Sequence, residues 1–77
     1  MPRPETPVDP AAGPVAQFAH ELRELRNRAG RPSYRDMQAK VYVSYSSLSR
    51  AAAGRRLPSW PVVRGFVVAC GGDPDEW

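Results

Sequence analysis

The sequence has a single cysteine, a single histidine and no long hydrophobic run. One cysteine excludes an internal disulfide framework, and no cluster of Cys, His and carboxylate residues predicts a structural metal. Because there is no continuous apolar segment, we expect neither a signal peptide nor a membrane span, and cytoplasmic location is the default. The 77 residues therefore predict one small domain that is stabilised by helix packing.

Catalytic motifs are also missing. There is no glycine-rich phosphate loop and no serine or cysteine beside a candidate base, and the only close carboxylates lie between Asp73 and Glu76. We predict His20 on an exposed helix face without a partner, and Cys70 as a small apolar residue. The sequence therefore predicts no enzyme, no cofactor and no small-molecule substrate.

Acidic residues are scarce in the middle of the chain. From Arg23 to Arg64 there are ten basic and two acidic residues, a local balance of +8, and nine of the ten are arginine. Guanidinium groups form forked hydrogen bonds with oxyanions, so this bias indicates a surface for phosphate. A basic surface without any ligand explains the charge equally well.

Hydrophobic periodicity and capping residues predict an all-α domain of four to five helices after a proline-rich arm. The arm covers residues 1–13 and is predicted to be extended and mobile. Helices are predicted at about residues 14–29, 34–41, 45–53 and 60–70, and a fifth begins at 74. Because that fifth helix starts well but stops at Trp77, we expect the natural protein to continue.

Apolar stripes identify the predicted core. The stripe of the first helix consists of Val15, Phe18, Ala19, Leu22, Leu25 and Ala29. That of the fourth helix consists of Trp60, Val63, Phe66, Val67 and Cys70, after Ser59 as N-cap. Arg26 is expected to bury its stem and keep its head in water. In the second helix Met37 and Val41 should face inward, while Tyr34 and Arg35 stay in the exposed first turn.

Two short helices and a tight turn form the most informative stretch. Ser33 followed by Asp36 resembles a capping box, Ser44 is the predicted N-cap of the third helix, and Gly54 ends it. The predicted outer face of the third helix contains Tyr45, Ser46, Ser49, Arg50 and Ala53. Its inner face contains Ser47, Leu48, Ala51 and Ala52. A three-residue turn before this helix and Arg55-Arg56 after it are typical of a helix-turn-helix.

Six segments carry a family resemblance. They are Leu22-Arg23-Glu24-Leu25-Arg26, Ala29-Gly30, Ser33-Tyr34-Arg35, Ser44-Tyr45-Ser46-Ser47-Leu48-Ser49-Arg50, Gly54-Arg55-Arg56-Leu57-Pro58-Ser59 and Ala69-Cys70-Gly71-Gly72-Asp73-Pro74. Together they resemble the Xre-type (lambda-repressor-like) helix-turn-helix domains of actinobacteria. The leader with Gly13-Pro14-Val15 is similar to the front of large actinobacterial proteins in which such a domain precedes a STAND-type ATPase or β-propeller region.

The resemblance implies a transcriptional regulator that places its third helix in the major groove of double-stranded DNA, at the nucleoid. Positions that reach base edges are matched by Tyr45, Ser46 and Arg50, with Ser49 on the same face. Backbone-contacting positions are matched by Ser44 and Ser47. The phosphate contact at the start of the second helix is matched by Ser33 and Tyr34, with Arg35 beside them. Arg55 and Arg56 match basic residues that grip the next phosphates.

Two residues depart from the family pattern. Many such domains have alanine in place of Gln38, because the helices approach closely there, and glycine in place of Tyr42. Since a tyrosine at positive φ is strained, we expect either a reshaped turn or a changed angle between the helices.

With one long base-reading side chain, a single copy should have modest specificity. Useful affinity is then expected from a homodimer, a second site or further domains after Trp77. The competing hypothesis is a protein-interaction module that keeps the fold and uses its basic face for an acidic partner.

Overall fold

The computed structural model describes residues 8–77. Its helices are α1 (Pro14–Arg28), α2 (Tyr34–Lys40), α3 (Tyr45–Ala53) and α4 (Trp60–Ala69). Short 3-10 turns occur at Pro10–Ala12 and Pro74–Glu76, and residues 8–77 contain no strand. The predicted all-α fold is confirmed, and the α-helix bounds agree with the predictions to within one residue.

Side-chain caps begin the two short helices, as predicted. The Ser33 hydroxyl accepts a hydrogen bond from the Asp36 N–H at 3.1 Å, and the Ser44 hydroxyl accepts one from the Ser47 N–H at 3.2 Å. Each bond satisfies a backbone donor that has no partner within its helix. At the other end of α3, Gly54 has a φ of 78°, a left-handed conformation that glycine adopts without strain.

The core lies where the four helices meet. Its largest fully buried side chains are Leu22, Met37, Leu48, Phe66 and Val67. Each helix therefore contributes at least one anchor, and burying such a side chain contributes about 1.5–3 kcal/mol. Because α2 and α3 share this core with α1 and α4, their mutual orientation is fixed by packing as well as by the turn between them.

Two positions assigned to the apolar stripes are exposed. Trp60 is 50% exposed and Ala29 lies at the exposed C-cap of α1. Both residues lie at a helix end. They are on the same face as the rest of the apolar stripe, but the neighbouring helices do not extend far enough to cover them. Burial in α4 begins one turn later, at Val63, which is 4% exposed. Ser59 occupies the N-cap position of α4, yet its side chain makes no capping hydrogen bond.

Tyr34 was predicted in an exposed first turn, and this is wrong. Its side chain is half-buried, with the ring centroid 6.3 Å from that of Phe66. The Arg26 guanidinium carbon lies 4.5 Å from the centre of the Tyr34 ring, and Arg26 Nε donates to the Pro32 carbonyl at 2.7 Å. The head of Arg26 is thus part-buried, contrary to the expected snorkelling, and it ties the end of α1 to the start of α2.

The predicted arm is only partly described. Residues 1–7 of the arm lie outside the described residues. Pro10–Ala12 form a 3-10 turn in place of the predicted extended chain, and the Asp9 carboxylate caps it by accepting from the Ala11 N–H at 2.9 Å. The Val8 methyl groups lie close to Gly54, about 3.4 Å from where a Cβ would stand. The arm's last residues therefore pack against the domain.

The predicted fifth helix is present as a single turn. Pro74–Glu76 form a 3-10 turn whose N-cap, Asp73, accepts from the Asp75 N–H at 3.0 Å. Trp77 then packs edge-to-face on Phe18, with 5.8 Å between ring centroids. On α1, His20 Nε2 lies 3.6 Å from Glu24 Oε1, so the prediction that His20 has no partner is wrong.

Candidate nucleic-acid interface

The two faces of α3 divide as predicted. Leu48, Ala51 and Ala52 are buried and Ser47 is half-buried. All residues of the predicted outer face are exposed, and these are Tyr45, Ser46, Ser49, Arg50 and Ala53. Small alanines on the inner face let α3 lie close to the other helices. The outer face offers hydroxyl groups, one aromatic ring and one guanidinium group.

Three serine hydroxyls interact at the N-terminal end of α3. Ser44 Oγ donates to Ser47 Oγ at 3.0 Å and lies 3.2 Å from Ser46 Oγ. The same oxygen also accepts from the Ser47 N–H. The hydroxyl of Ser44 is therefore used by the cap, whereas Ser46 projects from the exposed face.

Gln38 connects α2 to α3 by a hydrogen bond. Its Oε1 accepts from the backbone N–H of Tyr45 at 2.6 Å. Tyr45 is the first residue of α3, so this N–H has no carbonyl partner within the helix. Sequence reasoning recognised Gln38 as unusual but missed this role, because the bond spans seven residues across a turn whose shape was not predictable.

A cation–π contact joins the first turns of the same two helices. The Arg35 guanidinium carbon lies 5.2 Å from the centroid of the Tyr45 ring. Both side chains are exposed, which limits the contact to about 0.5–1 kcal/mol. Arg35 and Tyr45, predicted separately, are thus adjacent on one surface.

The turn between α2 and α3 is reshaped rather than strained. Tyr42 does not have a positive φ, since Arg31 is the only non-glycine residue among 8–77 that does. Val41 is extended, with a φ of −139°, and the connection has four residues where three were predicted. Of the two alternatives expected from the sequence, the reshaped turn is therefore the one that the structure has.

Gly65 in α4 makes room for this turn. A Cβ placed on Gly65 would lie 2.5 Å from Val43 Cγ2, well inside van der Waals contact. Only glycine lets the turn approach α4 so closely. The approach leaves Val43 half-buried and sends the Tyr42 side chain fully into solvent.

Three arginines meet at the C-terminal end of α3. Arg50, Arg55 and Arg56 line a depression of about 330 Å³ together with Ala53. No carboxylate of the described residues lines it, so the positive charges are not neutralised within the depression. Such a site attracts phosphate groups, which arginine binds through paired hydrogen bonds.

Arg23 holds this end of α3 against α1. Its Nε donates to the Ala52 carbonyl at 2.6 Å. The last carbonyls of a helix lack partners within the helix and carry partial negative charge, so a guanidinium donor stabilises them. Arg23 therefore acts on the position of α3, not on its exposed face.

The predicted binding residues form two groups rather than one. Arg35 lies at the N-terminal end of α3, with Ser44, Tyr45 and Ser46, and the arginine depression lies at the other end. Nine helical residues separate these ends by about 13 Å, at about 1.5 Å per residue. The side chains of Ser33 and Tyr34 belong to neither group, because Ser33 caps α2 and Tyr34 packs against Phe66 in the interior.

Cys70 lies away from these groups at the end of α4. Burial raises the pKa of its thiol, an effect that the positive charges of Arg26 and Lys40 oppose. Within residues 8–77 no three His, Cys, Asp or Glu side chains cluster to hold a metal ion. No helix in that range is both long and apolar enough to cross a membrane.

Of three comparisons with known proteins, one gives a match. Neither the curated proteins nor the solved structures include a match to this chain. A family model described as a helix-turn-helix domain matches residues 17–77, which is more than half of the sequence. This range contains most of α1, all of α2, α3 and α4, the turn and all the predicted binding residues, and the chain therefore belongs to the helix-turn-helix domain family.

Proposed function

We propose that this protein is the DNA-binding module of a transcriptional regulator and that α3 lies in the major groove of double-stranded DNA. The observation that carries the proposal is the surface of α3 itself. Its outer face is exposed and polar, and it ends at three arginines around a depression without a carboxylate among the described residues. A helix of this size fits the major groove, and clustered arginines suit the flanking phosphates.

In this arrangement the residues on α3 and those that follow it have different tasks. Arg50 is the base-reading residue, because a guanidinium group can bind guanine O6 and N7 together and discriminate bases by about 1–3 kcal/mol. Arg55 and Arg56 bind phosphates, which adds affinity without sequence preference. Tyr45, Ser46 and Ser49 contribute hydroxyl and ring contacts of lower selectivity.

The N-terminal end of α3 is positioned by its neighbours. Gln38 binds the first N–H of the helix and the Arg35 guanidinium lies over the Tyr45 ring. These two contacts restrict the Tyr45 side chain, which supports its proposed role at the major groove. Ser44 and Ser47 are assigned to backbone contacts by the family resemblance. The same resemblance alone supports a phosphate contact at Ser33 and Tyr34.

Within the helix-turn-helix family, we propose an Xre-type domain of actinobacteria, on the resemblance of the six sequence segments given above. We therefore propose a cytoplasmic, nucleoid-associated protein in which this module acts with a second copy or with further domains after Trp77. A single copy offers one long base-reading side chain, and its specificity should be modest.

Selection of bound duplexes from a random pool tests the proposal. We expect enrichment of a short site containing guanine, and loss of that preference in Arg50→Ala with residual binding retained. Recovery of no duplex above background by a folded chain would refute it. That outcome would favour the competing function, in which the basic face binds an acidic protein and stays unoccupied on DNA.

A further inference from the structure

A second surface with binding character lies between the α2–α3 turn and α4. It is a groove of about 440 Å³ whose lining includes Lys40, Tyr42, Trp60, Arg64 and Val68. Relative exposures of 110% for Tyr42, 50% for Trp60 and 43% for Val68 show that the fold leaves these apolar side chains in solvent. Contiguous exposed apolar side chains on a small domain mark interaction sites, and tyrosine and tryptophan are the residues most enriched in them.

The floor of this groove is closely packed. Val43 packs so tightly on Gly65 that no Cβ fits between them, and this contact holds the turn against α4. Tyr42 therefore projects from a fixed backbone. Binding of a partner here therefore costs little free energy for ordering the turn.

The rim of the groove carries positive charge. Lys40 and Arg64 both line it, no acidic residue of the described chain does so, and neither cation forms a salt bridge within residues 8–77. An apolar floor between two available cations is complementary to an apolar side chain flanked by carboxylates.

We propose that this groove binds a segment of another protein in which acidic residues flank an aromatic or branched aliphatic side chain. None of the exposed residues of α3 lines the groove, so this site is separate from the proposed DNA surface. The domain can then hold DNA with α3 and an acidic partner with the turn and α4.

The groove fits a protein segment better than nucleic acid. Valine side chains make up much of its lining, namely Val41, Val43 and Val68, whereas stacked bases need a series of aromatic faces along a basic track. The phosphate-binding character of this domain lies instead with the arginines after α3.

Panning a random peptide library against the whole chain tests the inference. We expect enriched peptides that combine Asp or Glu with an aromatic or aliphatic residue, and amide resonance shifts on binding that centre on Tyr42, Gly65 and Val68. Affinity of an enriched peptide should fall about tenfold or more in Trp60→Ala, as expected for a central aromatic contact, and similarly in Arg64→Glu. Arg28→Glu makes the same change in charge on α1 and should leave the affinity unchanged.

Several outcomes overturn the inference. They are no enrichment, enriched peptides without acidic residues, an affinity that is unchanged in Trp60→Ala and Arg64→Glu, and shifts centred on Ser46 and Arg50. Saturable binding of single-stranded oligodeoxythymidine at the groove would reassign it to nucleic acid. Tyr42→Ala, which removes a fully exposed ring, provides a second variant if Trp60→Ala changes the circular dichroism spectrum. Duplex binding is measured in parallel, because groove variants that retain DNA binding separate this proposal from the proposed function.

Discussion

Gln38 and Tyr45 are joined by a 2.6 Å hydrogen bond between the Gln38 side-chain oxygen and the first N–H of α3. Gln38 stands where many related domains have alanine. Its side chain supplies the hydrogen-bond acceptor that the first N–H of α3 lacks within the helix. The Gln38 side chain is exposed and reaches across the turn, and it does not pack between α2 and α3.

Replacement of Gln38 by alanine removes this bond. We expect the free energy of unfolding to fall by about 0.5–1.5 kcal/mol, the usual net value of one hydrogen bond, as measured by urea denaturation. Gln17→Ala is the matched control, because Gln17 is an exposed glutamine of α1 and should change stability little. Equal effects of the two substitutions would contradict the structural role of Gln38.

Gly65→Ala should destabilise the domain by forcing Val43 away from α4. Overpacking of this kind costs about 1–3 kcal/mol, and valine has few rotamers through which to escape. In the double variant Val43→Ala, Gly65→Ala the clash is relieved, so the two substitutions should be strongly non-additive in a thermal denaturation cycle. Additive losses would show that the turn does not depend on this contact.

The fold was largely predictable because its signals are local. Ser33, Ser44 and Gly54 act within one helical turn, and the inner residues of α3 repeat with the helical period. The errors concern contacts between distant segments. The burial of Tyr34 depends on Phe66, and the exposure of Trp60 depends on where the facing helices end.

The exposed surface of α3 was predictable from the sequence, but the contacts around it were not. Sequence indicated the outer face of α3 and the arginines after it, whereas the Arg35–Tyr45 contact and the bond from Gln38 depend on the shape of the turn. Tyr42 shows the reason. The glycine of related domains left two alternatives for this turn, a reshaped turn or a changed angle between the helices, and only the structure shows that Val41 is extended and that Tyr42 has no positive φ.

Arg23→Ala should loosen the C-terminal end of α3. Loss of a charge-assisted bond to the Ala52 carbonyl predicts a decrease of about 1.5 kcal/mol in unfolding free energy. Hydrogen exchange should accelerate at the last amides of α3 more than at those of α2. Arg28→Ala removes an exposed arginine from the same helix and serves as the control. If the two substitutions destabilise the domain equally, the loss of stability comes from the removed charge and not from the hydrogen bond to Ala52.

The Cys70 thiol should react slowly in the folded protein. Its pKa is raised by burial, so less thiolate is present at neutral pH, and the rate should rise with pH as the thiol deprotonates. Iodoacetamide labelling followed by mass spectrometry measures the rate, with the urea-unfolded chain as reference. Equal rates in the folded and unfolded chains would show that the thiol is not protected.

Salt dependence of duplex binding tests the central claim most directly. Fluorescence anisotropy with a mixed-sequence duplex should show binding at low salt that weakens steeply as salt is added, because bound phosphates release counterions. The double variant Arg55→Ala, Arg56→Ala should bind every duplex more weakly. The slope of log affinity against log salt concentration should decrease by about 2, at about one unit per lost phosphate contact. Arg28→Ala, Arg31→Ala removes the same charge from exposed positions around the end of α1 and should retain the slope. Absence of binding at low salt, by a chain whose circular dichroism is helical, would contradict the account.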